Sequence, residues 1–438
     1  MGLMDLIHQP LLFKYTTKFM NVLNHLVDKI FDHLALLLVI ALASCSTDIN
    51  PNIQQIDKLL TQEIASEHIP GAVVQIKKQD SLLFSKAYGY AYRLHFDSTV
   101  VDQPQKMSIH HLFDLASLTK VCATTFGIML LVDEEQISLD DPLATYFNGF
   151  TTPEKQAITV RHLLTHTAGL VQWIPTYYHA STRKERHKYT SSLPLKWPVA
   201  KERHYSDLGF MLLGDLIENV SGMPMETYLN RKLYSKLNLK ETGFNPLQNG
   251  FNPNQIAATS HGNPFEKRMV YDDDFGYTVD VDPESWDEWR HYTLRGEVND
   301  GNSYYANQGI AGHAGLFSTV SDLQKLADLL LQKGRWQGVQ IISEEVINEF
   351  LTRDEFNNGL GWAMDKEFIS AKGTTEQTFG HSGFTGTSIV IIPEYELSVI
   401  LLTNRQHYGP EKNGYYYDLG PLRQNIINAA TQSTFALW

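Results

Sequence analysis

Cysteine is scarce. The 438-residue chain has two, Cys45 and Cys122, too few for a disulfide framework or a four-thiolate zinc site. Long apolar runs are missing as well: the N-terminal one, Leu34 to Ala43, is ten residues, against about 20 needed for a helix to cross a bilayer. Basic charge is in deficit, with 36 Lys+Arg against 49 Asp+Glu and a formal net charge of −13. That balance excludes the basic face a nucleic-acid partner requires. No internal repeat or low-complexity linker interrupts the chain. With 43% hydrophobic and 19% charged residues the composition is globular rather than disordered. The length allows one large domain with two lobes.

The short apolar run is followed at once by Ser44-Cys45-Ser46-Thr47, so it reads as an export signal rather than as part of the fold. Leu42-Ala43-Ser44-Cys45 resembles the lipobox of bacterial lipoproteins. The resemblance implies a signal peptide over 1–45 that is removed, and a Cys45 that is acylated and tied to the membrane by its acyl chains. Residues 46–55 are then a short tether and 56–432 the folded domain. Ser46, where an inner-membrane lipoprotein typically carries Asp, implies the outer membrane in a cell with two membranes. Cys122 lies in an apolar run, where a free thiol behaves as a small hydrophobe.

Apolar spacing predicts a helix over 53–67, stopped by Ile69-Pro70-Gly71, and a hairpin from Ala72–Ile76 and Leu82–Tyr90 around Lys78-Gln79-Asp80-Ser81. A long middle carries helical patterns at Leu118–Glu134, Leu208–Val220 and Ser321–Leu331, between loops rich in Trp and Tyr. A second hairpin, Thr387–Ile392 with Leu397–Leu402, and a helix over Leu422–Ala430 close the chain. The expected fold class is α+β. An antiparallel sheet is built from both chain ends and flanked by helices, with a mostly helical lobe inserted between and the site in the cleft.

The chemistry begins at Ser117-Leu118-Thr119-Lys120. A Ser and a Lys three apart at a helix start share one face. The run that follows is apolar nearly all round, so Lys120 is expected to be desolvated near a positive helix end. Both effects favour a neutral amine that takes a proton from Ser117 and makes it a nucleophile. Alone the pattern is common on exposed helices. Two further segments follow in order: Tyr205-Ser206-Asp207, and His381-Ser382-Gly383-Phe384 just before the C-terminal hairpin.

Together these three segments resemble the serine β-lactamase and penicillin-binding-protein superfamily, nearest its class C-like, esterase-containing branch. Ile69-Pro70-Gly71-Ala72, His162 to Leu170 and Gly312 to Thr319 match that family's habits, and the resemblance runs from about residue 56 to 430. It implies the β-lactamase/transpeptidase-like fold and an acyl-enzyme on Ser117. Lys120 would share the proton, and Tyr205, with its hydroxyl acidified by Lys120, would be the general base. The N–H groups of Ser117 and Phe384 would form the oxyanion hole, and His381 and Gly383 a wall for the substrate. No cofactor and no metal is implied.

Two positions depart from the family pattern. His381 stands where Lys is usual and is mostly uncharged at neutral pH. Asp207 stands where Asn is usual, and a carboxylate only accepts hydrogen bonds; beside Lys120 it would favour the charged amine. Both argue against strong β-lactamase activity and for hydrolysis of another ester or amide, cell-wall peptide included. D-alanyl-D-alanine carboxypeptidase or weak β-lactamase activity, and a non-catalytic wall-peptide-binding protein, are the alternatives. His162 and His166 are four apart, but the Glu of a zinc-peptidase motif is missing. Asp272-Asp273-Asp274 lacks the alternating ligands of a calcium loop. Gly296 to Asn302 resembles a segment of wall-processing relatives, with Asn299 where His is expected, and no role is assigned to it.

Overall fold

Residues 51–276, 279–364 and 371–435 are described by a computed structural model. The expected signal peptide, Cys45 and residues 46–50 lie outside them. Helix α1 (Pro51–Ala65) starts at a proline, which suits a first helical position because its missing N–H has no intrahelical acceptor there. Residues 51–55, expected in the tether, are therefore the first turn of this helix. Its apolar positions Ile53, Ile56 and Leu60 are buried.

The two ends of the chain build one six-stranded antiparallel sheet, in the order β3-β2-β1-β9-β8-β7. β1 (Gly71–Lys78), β2 (Ser81–Leu94) and β3 (Val100–Lys106) come from the N-terminal side. β7 (Phe379–Ser382), β8 (Ser388–Ile392) and β9 (Leu397–Thr403) come from the C-terminal side. The seam is β1 against β9, with Ala72 opposite Thr403 and Ile76 opposite Val399. Residues 71–76 of β1 and all of β9 are buried because both faces of the sheet are covered. On one face Val74, Ile76, Val399 and Leu401 meet α1 and the C-terminal helix α6 (Gly420–Phe435) through Ile56, Leu60, Leu422 and Ile426. On the other, Val73, Ile389, Ile391, Ile400 and Leu402 join the core of the helical lobe. Each such side chain contributes about 1.5–3 kcal/mol on burial.

That lobe is organised by α2 (Thr125–Asp133), α3 (Asp207–Ser221) and α5 (Val320–Leu331), with the short α4 (Gly301–Asn307) beside them. A three-stranded sheet joins β4 (Phe113–Asp114), β5 (Gly243–Phe244) and β6 (Leu316–Ser318), in the order β4-β6-β5. β4 leads directly into the Ser117 segment.

Candidate active site

Between His111 and Leu131 every residue is buried except Ser117, which is partly exposed. The chain leaves β4 with the Leu115 N–H on the Leu316 carbonyl (2.9 Å) and turns sharply at Ala116, whose φ of 44° is unfavourable for a residue with a Cβ. The turn is held from within. One oxygen of the buried Asp114 accepts the Ala116 N–H at 2.9 Å, and the other accepts the Asn299 N–H at 2.6 Å. A π-helical turn over Lys120–Thr124 then leads into α2. Such turns are rare and gather at functional sites.

Lys120 is fully buried. Its Nζ lies 3.0 Å from Ser117 Oγ, 3.2 Å from the His313 carbonyl and 2.7 Å from Asp207 Oδ1. Tyr205 hydrogen-bonds both Ser117 and Lys120. The Ser117 and Tyr205 segments, with the His313 carbonyl, thus meet around one ammonium group.

The charge states differ from expectation. Burial pulls the Lys120 ammonium toward neutrality, but the Asp207 carboxylate and Tyr205 outweigh it and hold the amine above its usual value. Lys120 is a cation at rest, not the neutral amine expected from a buried helix start. Tyr205 is also corrected: burial raises its phenol, and the opposing pull of Lys120 only partly offsets this, so the hydroxyl stays protonated. His381 meets expectation as a neutral side chain. Burial and the Lys120 charge push its imidazole down to about 3, and its Nδ1 faces the Ser382 carbonyl at 2.8 Å. Arg203 and Arg423 act on it in the same direction.

The third segment is edge strand β7, with His381 opposite Ile389. A Cβ at Gly383 would sit 2.2 Å from both the Leu115 carbonyl and Thr387 Oγ1, so only glycine lets this segment lie against the Ser117 loop. Thr385 Oγ1 donates to the Asp114 carbonyl (2.7 Å) and Thr387 Oγ1 to that of Leu115 (3.1 Å), bolting the two segments together. The Phe384 carbonyl is held by Arg405 Nη2 at 2.9 Å and Gln406 Nε2 at 3.2 Å. Among the described residues, neither the Ser117 nor the Phe384 N–H donates to a protein acceptor, which suits a pair of donors reserved for an oxyanion.

Several supporting residues were given no role in this site by the sequence. His313 pairs with Asp300 through Nε2 (2.8 Å), which orients the carbonyl that Lys120 contacts. Asp300 Oδ1 also caps α4 through the Ser303 N–H. His166 lies against the Tyr205 ring, 4.4 Å between centroids, and its Nδ1 accepts the Ser206 N–H. The signal for both lay in the accessory segments 162–170 and 312–319. His162, by contrast, caps its own short helix, and His166 lies beyond that helix with φ 59°, so the two do not share a face. Cys122 is buried, which pushes its thiol up to about 12.

A six-stranded antiparallel sheet whose edge strand faces a Ser-x-x-Lys turn, with a Tyr on the third side, defines the β-lactamase/transpeptidase-like class. The β-lactamase family model matches residues 56–420, and the chain belongs to that family of serine hydrolases. It is 32% identical over 383 residues to an N-acetylmuramyl-L-alanine amidase of Bacillus subtilis (strain 168), covering 82% of this chain and 83% of that one. It is 30% identical over 393 residues to a putative D-alanyl-D-alanine carboxypeptidase of Escherichia coli (strain K12), covering 84% and 87%. Among solved structures, EstCE1, a hydrolase with promiscuous acyltransferase activity, shares the fold with a TM-score of 0.62 and 19% identity, over 87% of this chain and 99% of that one.

Proposed function

We propose that the protein is an exported serine hydrolase, anchored to the cell envelope through lipid on Cys45, that opens an amide bond of wall-derived peptide through an acyl-enzyme on Ser117. The observation that carries this reading is the exposure of Ser117 alone in a buried segment, with its Oγ 3.0 Å from Lys120 Nζ. Ser117 Oγ attacks the substrate carbonyl. The oxyanion is taken by the Ser117 and Phe384 N–H groups, each donor of this kind being worth about 2.7–4 kcal/mol. Tyr205 passes a proton to the leaving nitrogen, and water then releases the acyl group along the same path in reverse. The names of the B. subtilis and E. coli relatives support a muropeptide substrate. D-alanyl-D-alanine carboxypeptidase activity is the second reading. It draws on the E. coli relative and on the Arg203 and Arg423 charges that act on the His381 wall, where a C-terminal carboxylate would be favoured.

The test is a fluorophosphonate, which should add once, at Ser117, and not to Ser117→Ala. Full labelling of that variant sinks the assignment. Mass spectrometry of digested muropeptides then separates the readings: release of an intact peptide from the sugar means amidase, and loss of one alanine means carboxypeptidase. Binding without turnover would return the protein to the non-catalytic class. For the anchor, cells fed an alkyne fatty acid should label the wild type and not Cys45→Ala.

A further inference from the structure

The resting site poses a chemical problem. Ser117 must lose a proton on attack, yet Lys120 beside it is already an ammonium and Tyr205 is already protonated. Of the four acceptors around Lys120 Nζ, the Ser117 hydroxyl is the donor to be activated, the Tyr205 hydroxyl already carries its proton and the His313 carbonyl cannot hold one at neutral pH. The fourth is Asp207 Oδ1, 2.7 Å away in a pair whose lysine is wholly excluded from solvent. We infer that Asp207 is the terminal proton acceptor of this site: as Ser117 Oγ–H passes its proton to Lys120 Nζ, Lys120 passes one to Asp207 Oδ1.

The step balances. The Oγ–C bond forms as the C=O π pair moves onto the carbonyl oxygen, which re-forms C=O when the C–N bond breaks, and one proton has moved from Ser117 to Asp207 with Lys120 still an ammonium. When the C–N bond breaks, the proton returns from Asp207 to Lys120, Lys120 gives one to Tyr205, and Tyr205 gives its own to the leaving nitrogen. Asp207 is a carboxylate again. Burial of Lys120 is not relieved on attack, since it stays an ammonium; the negative charge moves from Asp207 to the oxyanion, where the Ser117 and Phe384 N–H groups receive it. An Asn at this position has no oxygen that can take the proton.

The surrounding groups do not compete for the role. His166 and His381 are held neutral by burial and by the Lys120 charge. Asp300 is occupied by His313 and by the α4 cap. Arg203 is a cation.

This inference rests on Ser117 being the nucleophile, and the experiment separates the two. The full chain in detergent is treated with a fluorophosphonate from pH 5.5 to 9, and the rate of labelling at Ser117 is followed. In the wild type the rate should change less than about threefold between pH 6 and 8. In Asp207→Asn, burial of Lys120 is no longer opposed by the adjacent Asp207 carboxylate and the amine itself becomes the base, so the rate should rise at least tenfold over that interval. Asp207→Glu should keep the flat wild-type profile at lower amplitude, and it serves alone if the Asn variant does not fold. A flat profile in Asp207→Asn, or a rising one in Asp207→Glu, overturns the proposal. Absence of label at Ser117 in the wild type would instead overturn the nucleophile assignment beneath it.

Discussion

Ala116 carries the strain that aims Ser117. A left-handed conformation costs an alanine roughly 1–2 kcal/mol, and the two hydrogen bonds on Asp114 hold it there. Ala116→Gly removes that strain but adds unfolded-state entropy of similar size. Its melting temperature should stay within about 3 °C of wild type while kcat/KM falls at least tenfold, because Ser117 loses its fixed direction. Thermal unfolding and ester hydrolysis measured side by side check this; an unchanged kcat/KM would make the strain incidental. The identities of Ser117, Lys120 and Tyr205 were legible in the sequence because the chemistry fixes both residue type and order. Their charges were not. The sequence set a buried helix start, which favours a neutral Lys120, against Asp207, which favours the ammonium, and only the folded distance of 2.7 Å decides for Asp207. The strain at Ala116 was equally invisible, since nothing in Leu115-Ala116-Ser117 names a left-handed residue.

Edge strand β7 works by proximity, so its tolerance for added atoms is low. Gly383→Ala places a methyl 2.2 Å from the Leu115 carbonyl and Thr387 Oγ1. Either the strand or the nucleophile loop must then shift, and the Phe384 N–H moves with it. Loss of about 100-fold in kcat/KM is expected, some 2.7 kcal/mol in barrier, with the Ser117 hydroxyl still present. Esterase assays on the purified variant test it, and a loss below fivefold would mean that the contact is not needed. At this scale the two hairpins and the helices α3, α5 and α6 follow the apolar periodicity closely. The predicted helix over 118–134 instead divides into a π-turn and α2, since the apolar pattern is the same whichever hydrogen bonds the backbone makes. The Asp300–His313 pair was hidden for another reason: its partners come from separate segments that meet only in the folded lobe.

Across the whole molecule, a buried acidic group lies behind the site. Burial and the nearby Asp300 charge raise Glu266 to about 8, and burial raises Asp114 to about 6, while His313 holds Asp300 below its ordinary value despite burial. A carboxyl whose folded value exceeds its unfolded one binds more protons when native, so stability is lost as pH rises through the folded value. The melting temperature should therefore drop by several degrees between pH 6 and 8.5. Glu266→Gln, which keeps an acceptor for the Gly301 N–H, should flatten that decline; scanning calorimetry of both proteins decides, and equal slopes would remove Glu266 as the cause. The pairing of β1 with β9 also has a temporal meaning. Ala72 waits for Thr403 and the Ser117 loop waits for β7, so a chain made from its N-terminus carries its nucleophile long before it has a wall or an oxyanion hole. Contacts this distant are slow to close. A ribosome stalled ahead of residue 379 thus releases a chain that has the Ser117 turn but neither the strand that faces it nor the partner of β1.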